Sequence, residues 1–264
     1  MPNRHARPAR VLWYLLIIIA AGVLFLGRAA RPKTAPLAVT TSQPATSQPT
    51  SQPVSPEADP FAEEQAKLQQ LIDEDRLPEA VRAATALLAT RDLNQGPQHP
   101  QVGDLLLLLG NLHTQNASLD AGEAALLRAL DLRTALHGDE HESVAEVWLA
   151  IARLFHVKQD WEDAREAAAV ALETCQKTVG KQHAWTAGAH GLLGDALSQS
   201  GRLSRAEPHL RKWIRWVEAN ASLAEKRDAY ERMRHYYDAT GDRAQEALWR
   251  GKRNSLPATP EGAD

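Results

Sequence analysis

The feature that most constrains this chain is a short corner, a glycine followed three residues later by a histidine, that recurs at a fixed interval. The corner occurs at Gly96–His99, Gly138–His141 and Gly180–His183, and successive copies lie 42 residues apart with no insertion between them. A period of this length is typical of proteins in which each repeat is one supersecondary unit that packs on its neighbours. The interval therefore predicts a stack of similar units.

Each repeat contains two helical segments joined by a short turn. Apolar residues recur in both segments at the three- and four-residue spacing of one helix face, and runs of strand-forming residues are absent. The recurring glycine is predicted to end the second helix. Two positions stay small in all copies, which lets the paired helices approach closely: Gly110, Ala152 and Gly194, then Gly122, Ala164 and Ala206. We predict an all-α fold, an α-solenoid superhelix of antiparallel helix pairs.

The predicted helical-repeat domain extends from 61 to 254. The final repeat is shorter, has its turn at Gly241, and ends in a helix polar enough to serve as a cap. A disordered tail is expected at 255–264. The five predicted repeats are approximately 61–95, 96–137, 138–179, 180–221 and 222–254.

The histidines raise the question of a metal site, because His137 and His141 lie four residues apart beside two acidic residues. Neighbouring repeats are separated by about 10 Å, whereas zinc ligands converge within about 2.1 Å of one ion. His99, His141 and His183 therefore cannot share a metal. We predict a local hydrogen bond that fixes the turn between repeats, and no metal or other cofactor. The single cysteine, Cys175, lies in an Ala-rich helical stretch and is predicted to be buried and unreactive.

The first sixty residues differ in composition from the repeats. Residues 1–10 form a basic tail, and 11–27 form an uncharged apolar run at the short end of the ~17–25 residues that span a bilayer. Residues 28–60 are rich in Ser, Gln and Pro and have little to bury, which predicts a disordered linker. We expect a single-pass transmembrane anchor, with the repeat domain on the non-cytoplasmic side. The alternative is a signal peptide cleaved after Ala29.

The repeats resemble a known family. The stretches "GPQHPQVGDLLLLLGNLH", "LDAGEAALLRALDLRTALHG" and "LSRAEPHLRKWIRWVE" are similar to tetratricopeptide repeats, in the 42-residue variety of kinesin light chains, over roughly 96–220. The resemblance implies a right-handed superhelix whose concave face is lined by the first helices and binds peptides, helices or other domains. The paired asparagines of kinesin light chains are replaced, so their cargo selection is not carried over. The replacing residues are Leu107/Leu108, Leu149/Ala150 and Gly191/Leu192.

By register with that family, the concave face should be mixed in charge, with apolar spots, and should contact a protein or peptide partner. The formal net charge of −3 does not indicate a nucleic-acid partner. The residues predicted on this face are Asp104, Leu107, Asn111, Thr114, Glu146, Leu149, Arg153, His156, Asp195 and Ser198.

One second helix departs from the repeat. Trp213 takes a position that is alanine in the two preceding repeats. Either Trp213 packs against the atypical fifth repeat, or it belongs to an exposed aromatic and basic patch that binds a partner or anionic headgroups. The other residues of that patch would be Arg211, Lys212, Arg215 and Trp216.

We therefore predict a membrane-tethered protein–protein interaction scaffold that contacts the membrane through its N-terminal helix. One alternative is a self-assembling structural subunit of a membrane-associated complex, with Trp213 and Trp216 buried in a homo-oligomer. A second alternative is an enzyme or metal-binding protein. The sequence does not favour the second, because it has no Gly-rich phosphate loop, nucleophile elbow, HExxH motif or Cys/His ligand spacing.

Overall fold

A computed structural model of the chain describes residues 60–257. Within this range every regular element is an α-helix, and none of these helices is long and apolar enough to cross a membrane. The predicted basic tail, transmembrane anchor and most of the predicted linker lie outside the described residues. The helices are α1 (Ala62–Asp73), α2 (Leu77–Gln95), α3 (Pro100–Gln115), α4 (Leu119–His137), α5 (Glu142–Val157), α6 (Trp161–Thr178), α7 (Ala184–Gln199), α8 (Leu203–Asn220), α9 (Leu223–Thr240) and α10 (Arg243–Asn254).

The helices pack as five consecutive antiparallel pairs, and each pair stacks on the next. The first helices also contact one another across pairs, α3 with α5 and α5 with α7. The first helices therefore form one layer, and the second helices form the other. The predicted all-helical solenoid of stacked pairs is confirmed for the described part of the chain.

The recurring corner ends one helix and starts the next. Gly96, Gly138 and Gly180 have φ of +86°, +83° and +94°, and they lie where α2, α4 and α6 end. This backbone conformation suits glycine because glycine has no Cβ to clash. Three residues later a histidine caps the next helix.

Each capping histidine uses its own ring to satisfy the first turn of the helix that it precedes. The Nδ1 atoms of His99, His141 and His183 accept hydrogen bonds from the backbone N–H two residues further on, at 3.3, 3.2 and 3.2 Å. The N–H groups of a first helical turn have no partner inside the helix, so this bond stabilises the helix start. The histidine thus fixes the point at which the chain turns from one pair into the next.

The turn inside each pair has its own periodic element. Asp75, Ala117, Gln159 and Gly201 all have positive φ, at 55°, 56°, 58° and 76°. These positions again lie 42 residues apart, so the first pair follows the same geometry as the next three. In the last pair the left-handed residue is Gly241, two residues early for that period.

The small residues lie where the helices of a pair cross. A Cβ added to Gly110 would lie 2.5 Å from the Leu126 side chain, and one added to Gly194 would lie 2.7 Å from Leu210. A Cβ on Gly122 would lie 3.2 Å from the carbonyl oxygen of Gly110. The corresponding alanines of the other repeats are fully or almost fully buried: Ala152, Ala164 and Ala206.

The core continues through the second helices and ends in a polar cap. Cys175 is fully buried, as predicted, and burial raises the pKa of its thiol to about 11. α9 begins with a reciprocal capping box between Ser222 and Glu225. In α10 only Trp249 is buried, and the Lys252 ammonium lies 4.2 Å from the centre of an aromatic ring of this tryptophan.

Candidate interaction surface

The layer formed by the first helices, named the inner layer here, carries a partly exposed polar face, the inner face, built from equivalent positions of α3, α5 and α7. Its positions recur every 42 residues because the first helices are stacked in register. Arg153 is exposed and the other members are partly exposed. Six of the predicted partner-binding residues lie on this face: Asn111, Thr114, Arg153, His156, Asp195 and Ser198.

Two other predicted residues do not lie on it. The structure buries Leu107 and Leu149, which are 6% and 1% exposed and pack in the core. The partly exposed apolar positions are instead one residue further on, at Leu108 and Leu192, whereas the equivalent Ala150 is buried. One residue corresponds to about 100° of rotation around a helix. The predicted positions therefore face the core, and the positions one residue later face the surface. The apolar part of the surface is therefore Leu108 and Leu192.

The last two predicted residues, Asp104 and Glu146, are already engaged by a buried arginine. Arg133 of α4 contacts the Asp104 carboxylate at 2.7 Å and the Glu146 carboxylate at 2.8 Å, and it donates to the Ser143 carbonyl oxygen at 2.9 Å. This guanidinium joins α3, α4 and α5. The two carboxylates are thereby neutralised on the protein side, although each remains reachable from solvent.

A second charged group spans the later first helices. The Asp195 carboxylate of α7 lies 2.9 Å from the guanidinium of Arg232 in α9 and 3.8 Å from the His156 ring of α5. Arg232 also contacts Asp228 at 2.8 Å. Burial raises the pKa of Asp195, although Arg232 and His156 pull it down, and burial lowers the pKa of His156. The Asp195–Arg232 ion pair ties α7 to α9 through charge, and the His156 ring of α5 adds to it only when the ring is protonated.

Arg153 occupies the middle of this face and is different from its charged neighbours. No side chain among residues 60–257 forms a hydrogen bond or ion pair with it, and the residue as a whole is exposed. The surrounding side chains displace water and lower its pKa, an effect opposed by the charge of Glu146. A guanidinium stays protonated under such conditions. The face therefore presents an unpaired cation between Asn111 and Asp195.

Trp213 fits because a residue opposite it in the same helix pair, Gly191, is correspondingly small. It packs against Gly191, where an added Cβ would lie 2.9 Å from the indole. The two preceding repeats have leucine at the glycine position and alanine at the tryptophan position. The guanidinium of Arg232, from the fifth pair, lies 5.5 Å from an indole ring centre. Both neighbours leave Trp213 only partly exposed.

A histidine pair joins α7 to α8 and was not singled out from the sequence. The Nδ1 atoms of His190 and His209 lie 2.9 Å apart, and His190 is buried. Burial, and then the charges of His209 and Lys212, lower the pKa of His190 to about 4. Comparison of the repeats indicates this pair, because the two preceding repeats have Leu or Trp at the position of His190 and Ala at the position of His209.

The histidines that raised the question of a metal have other neighbours. The rings of His137 and His141 stack, with centroids 4.4 Å apart and planes inclined by 19°. His141 is also the helix cap described above. Within residues 60–257 no group of three or more His, Cys, Asp or Glu side chains is arranged to hold a metal ion.

Comparison with known proteins shows that the fold is similar to that of tetratricopeptide-repeat proteins. Residues 145–215 match the sequence profile of the tetratricopeptide repeat family. No curated protein matches the sequence. The likeness to solved structures extends over about three quarters of the chain.

Those solved structures include BtubC and a protein whose name refers to kinesin light chains. BtubC (BKLC) from P. vanneervenii is 18% identical, with a TM-score of 0.62 over 77% of this chain and 85% of the other. A Podosopora anserina protein with nearly identical TPR-like repeats is 15% identical, with a TM-score of 0.62 over 77% and 97%. A single-substitution variant of it is 14% identical, with a TM-score of 0.63 over 74% and 93%. At these identities the likeness shows the fold.

Proposed function

We propose that this chain is a membrane-tethered protein–protein interaction scaffold whose inner helical layer binds a peptide or protein partner. The observation that carries the proposal is Arg153, an unpaired and partly desolvated cation at the centre of the inner face. A guanidinium in this position loses hydration without gaining a partner, so a carboxylate brought by a second molecule would restore its hydrogen bonds.

The surroundings of Arg153 favour a peptide over a small ligand. Asn111 and Thr114 on α3, with Ser198 on α7, offer further donors and acceptors along the same face. Leu108 and Leu192 are partly exposed and offer apolar contact on either side. Such a row of polar groups over an apolar strip suits an extended or helical segment with an acidic side chain.

The tether is proposed from the sequence before the repeats. The apolar run 11–27 would anchor the chain in a bilayer, and 28–60 would act as a flexible spacer. The short basic tail would stay in the cytoplasm, which would put the repeats on the other side. Such a tether would raise the effective concentration of the inner face for a partner at the same membrane, to about the mM range when its reach matches.

The inner face can be tested by cross-linking and affinity capture with the full-length protein. Arg153→Glu should abolish recovery of the partner, because it reverses the central charge without touching the core. Arg82→Glu is the matched control, since Arg82 is an exposed arginine of α2 in the other layer. Equal recovery of the same partners by the wild type and Arg153→Glu would refute the proposal. Leu107→Glu and Leu149→Glu are unsuitable, because they would put charges in the core.

The tether has a separate test. Full-length protein should stay with membranes through alkaline extraction, and a variant lacking 11–27 should be released. Protease treatment of sealed vesicles or spheroplasts should report on which side the repeats lie. A mature protein that begins after Ala29 would instead identify the segment as a cleaved signal peptide.

A further inference from the structure

The layer formed by the second helices, named the outer layer here, contains two neighbouring helices with opposite charge. The helices are α6 and α8, the second helices of consecutive pairs, and they run in the same direction. An ion pair of 3.0 Å between Glu162, in the first turn of α6, and Arg202, directly before α8, shows that the two helix starts are adjacent. The two helices therefore present their outer surfaces side by side.

The charge reversal follows the register of the repeat. Asp163 of α6 is equivalent to Arg205 of α8, and Glu173 is equivalent to Arg215, each 42 residues later. Around these positions α6 carries further acidic residues and α8 further basic ones. The outward side of α6 holds Glu162, Asp163, Glu166 and Glu173, and that of α8 holds Arg205, Arg211, Lys212 and Arg215.

The basic stripe is only partly neutralised within the molecule. Of the two acidic residues of α8, Glu207 pairs with Arg211 of the stripe and contacts Tyr237, and Glu218 pairs with Lys252. Among residues 60–257, Arg205, Lys212 and Arg215 form no ion pair. These three cations lie on one side of the helix over about 15 Å, at 1.5 Å per residue.

The acidic stripe is only partly compensated. Arg165 contacts Glu162 and Glu166, and Lys177 contacts Glu173, at 3.0 to 3.1 Å. Exposed pairs of this kind contribute little. Burial together with the neighbouring acids, Asp160, Glu166 and Glu123, raises the pKa of Asp163 to about 6. Asp163 has no ion-pair partner among residues 60–257, so above about pH 6 its carboxylate leaves the stripe with an excess of negative charge.

We infer that the α6–α8 surface is an interface between two copies of this chain, related by a two-fold axis that runs parallel to the helices and midway between them. Rotation about that axis places α6 of one copy over α8 of the other and preserves both direction and register. Each Asp163 then faces an Arg205 of the second copy, and each Glu173 faces an Arg215. The surface is self-complementary, as an isologous dimer requires.

Charge complementarity selects the second copy over other occupants. An anionic membrane would attract α8 but would also meet the acidic stripe beside it. A two-fold axis perpendicular to the helices would place α6 on α6 and oppose like charges. The inner face belongs to the other layer, so dimerisation would leave Arg153 free, and the inference does not depend on the proposed function.

The test uses two full-length double variants in one detergent solution that solvates residues 11–27. The first, Arg205→Glu with Arg215→Glu, makes both stripes acidic. The second, Asp163→Lys with Glu173→Lys, makes both stripes basic. Sedimentation equilibrium should show a wild-type dimer that weakens with added salt. Each variant alone should dimerise about tenfold or more weakly, because like charges are opposed.

A mixture of the two variants distinguishes this interface from general charge effects. Acidic α6 and α8 of one variant would face basic α8 and α6 of the other, so fluorescence energy transfer between labelled variants should show a heterodimer. Circular dichroism of each variant confirms that it is folded. The inference would be overturned if the wild type were monomeric, whether or not that monomer bound anionic vesicles. It would also be overturned if either variant associated as tightly as the wild type, or if a mixture of the folded variants formed no heterodimers.

Discussion

At the scale of single residues, the fit between the two helices of a pair depends on which partner is small. Gly110 and Gly194 lie under leucines of the second helix, Leu126 and Leu210, at distances that no Cβ could keep. At Gly191 the arrangement is different, because the large side chain is the tryptophan of the second helix. Small residues are thus required by a particular neighbour at each site.

Gly110→Ala should destabilise the domain by about 1–3 kcal/mol, because its Cβ would lie 2.5 Å from Leu126 and the helices would have to separate. Gly188→Ala is the control, since an added Cβ there meets nothing within 4 Å and alanine favours helix by about 0.5–1 kcal/mol. Urea unfolding followed by circular dichroism measures both. Equal effects of the two substitutions would contradict the assigned contact.

The exchange of size at Gly191 and Trp213 predicts a coupled pair. Trp213→Ala should cost about 2–4 kcal/mol through the cavity it leaves, and Gly191→Leu should also destabilise, because its Cβ would already lie 2.9 Å from the indole. The double variant recreates the Leu and Ala pairing of the preceding repeats. Its loss in the free energy of unfolding should be about 1–3 kcal/mol smaller than the sum of the single losses. Additive losses would show that the two side chains do not depend on each other.

The sequence allows some of these residue contacts to be predicted and hides others. The period identifies equivalent positions, so the small sites and the recurring histidines stand out. It does not give the rotation of a helix about its axis. The sequence therefore predicts Leu107 and Leu149 on the surface, whereas the structure buries both and exposes Leu108 in part. Trp213 looked anomalous because it was compared only with alanines, and its compensation at Gly191 requires a comparison of two columns at once.

At the scale of helices, the joints between elements are polar and specific. Histidine caps start α3, α5 and α7, Arg133 joins three helices, and His190 with His209 joins α7 to α8. The period predicted the helix pairs, since helical spacing and stop signals are local properties of the sequence. It did not predict the histidine pair, because the residue types at these two positions vary between repeats and only packing brings the two side chains together.

The histidine pair predicts a pH dependence of stability. A single Nδ1 proton can be shared at 2.9 Å, but two protonated rings cannot face each other there. The pKa of His190 falls from 6.5 to about 4 on folding, so the neutral form is favoured in the folded state. The stabilisation is therefore fully present above the unfolded value of 6.5. It is lost as the pH falls from 6.5 towards about 4, because only the unfolded chain takes up the proton.

Replacing the pair by His190→Leu with His209→Ala, the pairing found two repeats earlier, should remove about 1–3 kcal/mol of this loss. The measurement is the free energy of unfolding in urea at pH 7 and at pH 4.5 for both proteins. Carboxylates that titrate in this range affect both proteins alike, so the difference isolates the histidines. The same pH dependence in both would show that the pair does not titrate as described.

At the scale of the whole domain, stability should be a sum over pairs and over the contacts between them. The final pair contributes differently from the others, because its first helix covers α8 while its last helix is polar and mostly exposed. Met233, Tyr236 and Tyr237 of α9 are buried, and the Tyr236 hydroxyl donates to the Leu203 carbonyl oxygen at 2.9 Å. The fifth pair therefore seals the apolar side of the fourth.

Deletion of residues 222–264 should lower the free energy of unfolding by about 2–4 kcal/mol, because the apolar cover of α8 is lost together with the interface between pairs. The slope of that free energy against urea concentration should also fall, since less surface is exposed on unfolding. Deletion of residues 258–264 alone is the control, because it separates the effect of the last seven residues from that of α9 and α10. If both deletions behaved alike, α9 and α10 would be an appendage and the repeats would end at the fourth pair. A shortened protein that self-associates through uncovered α8 would agree with the role of the cap.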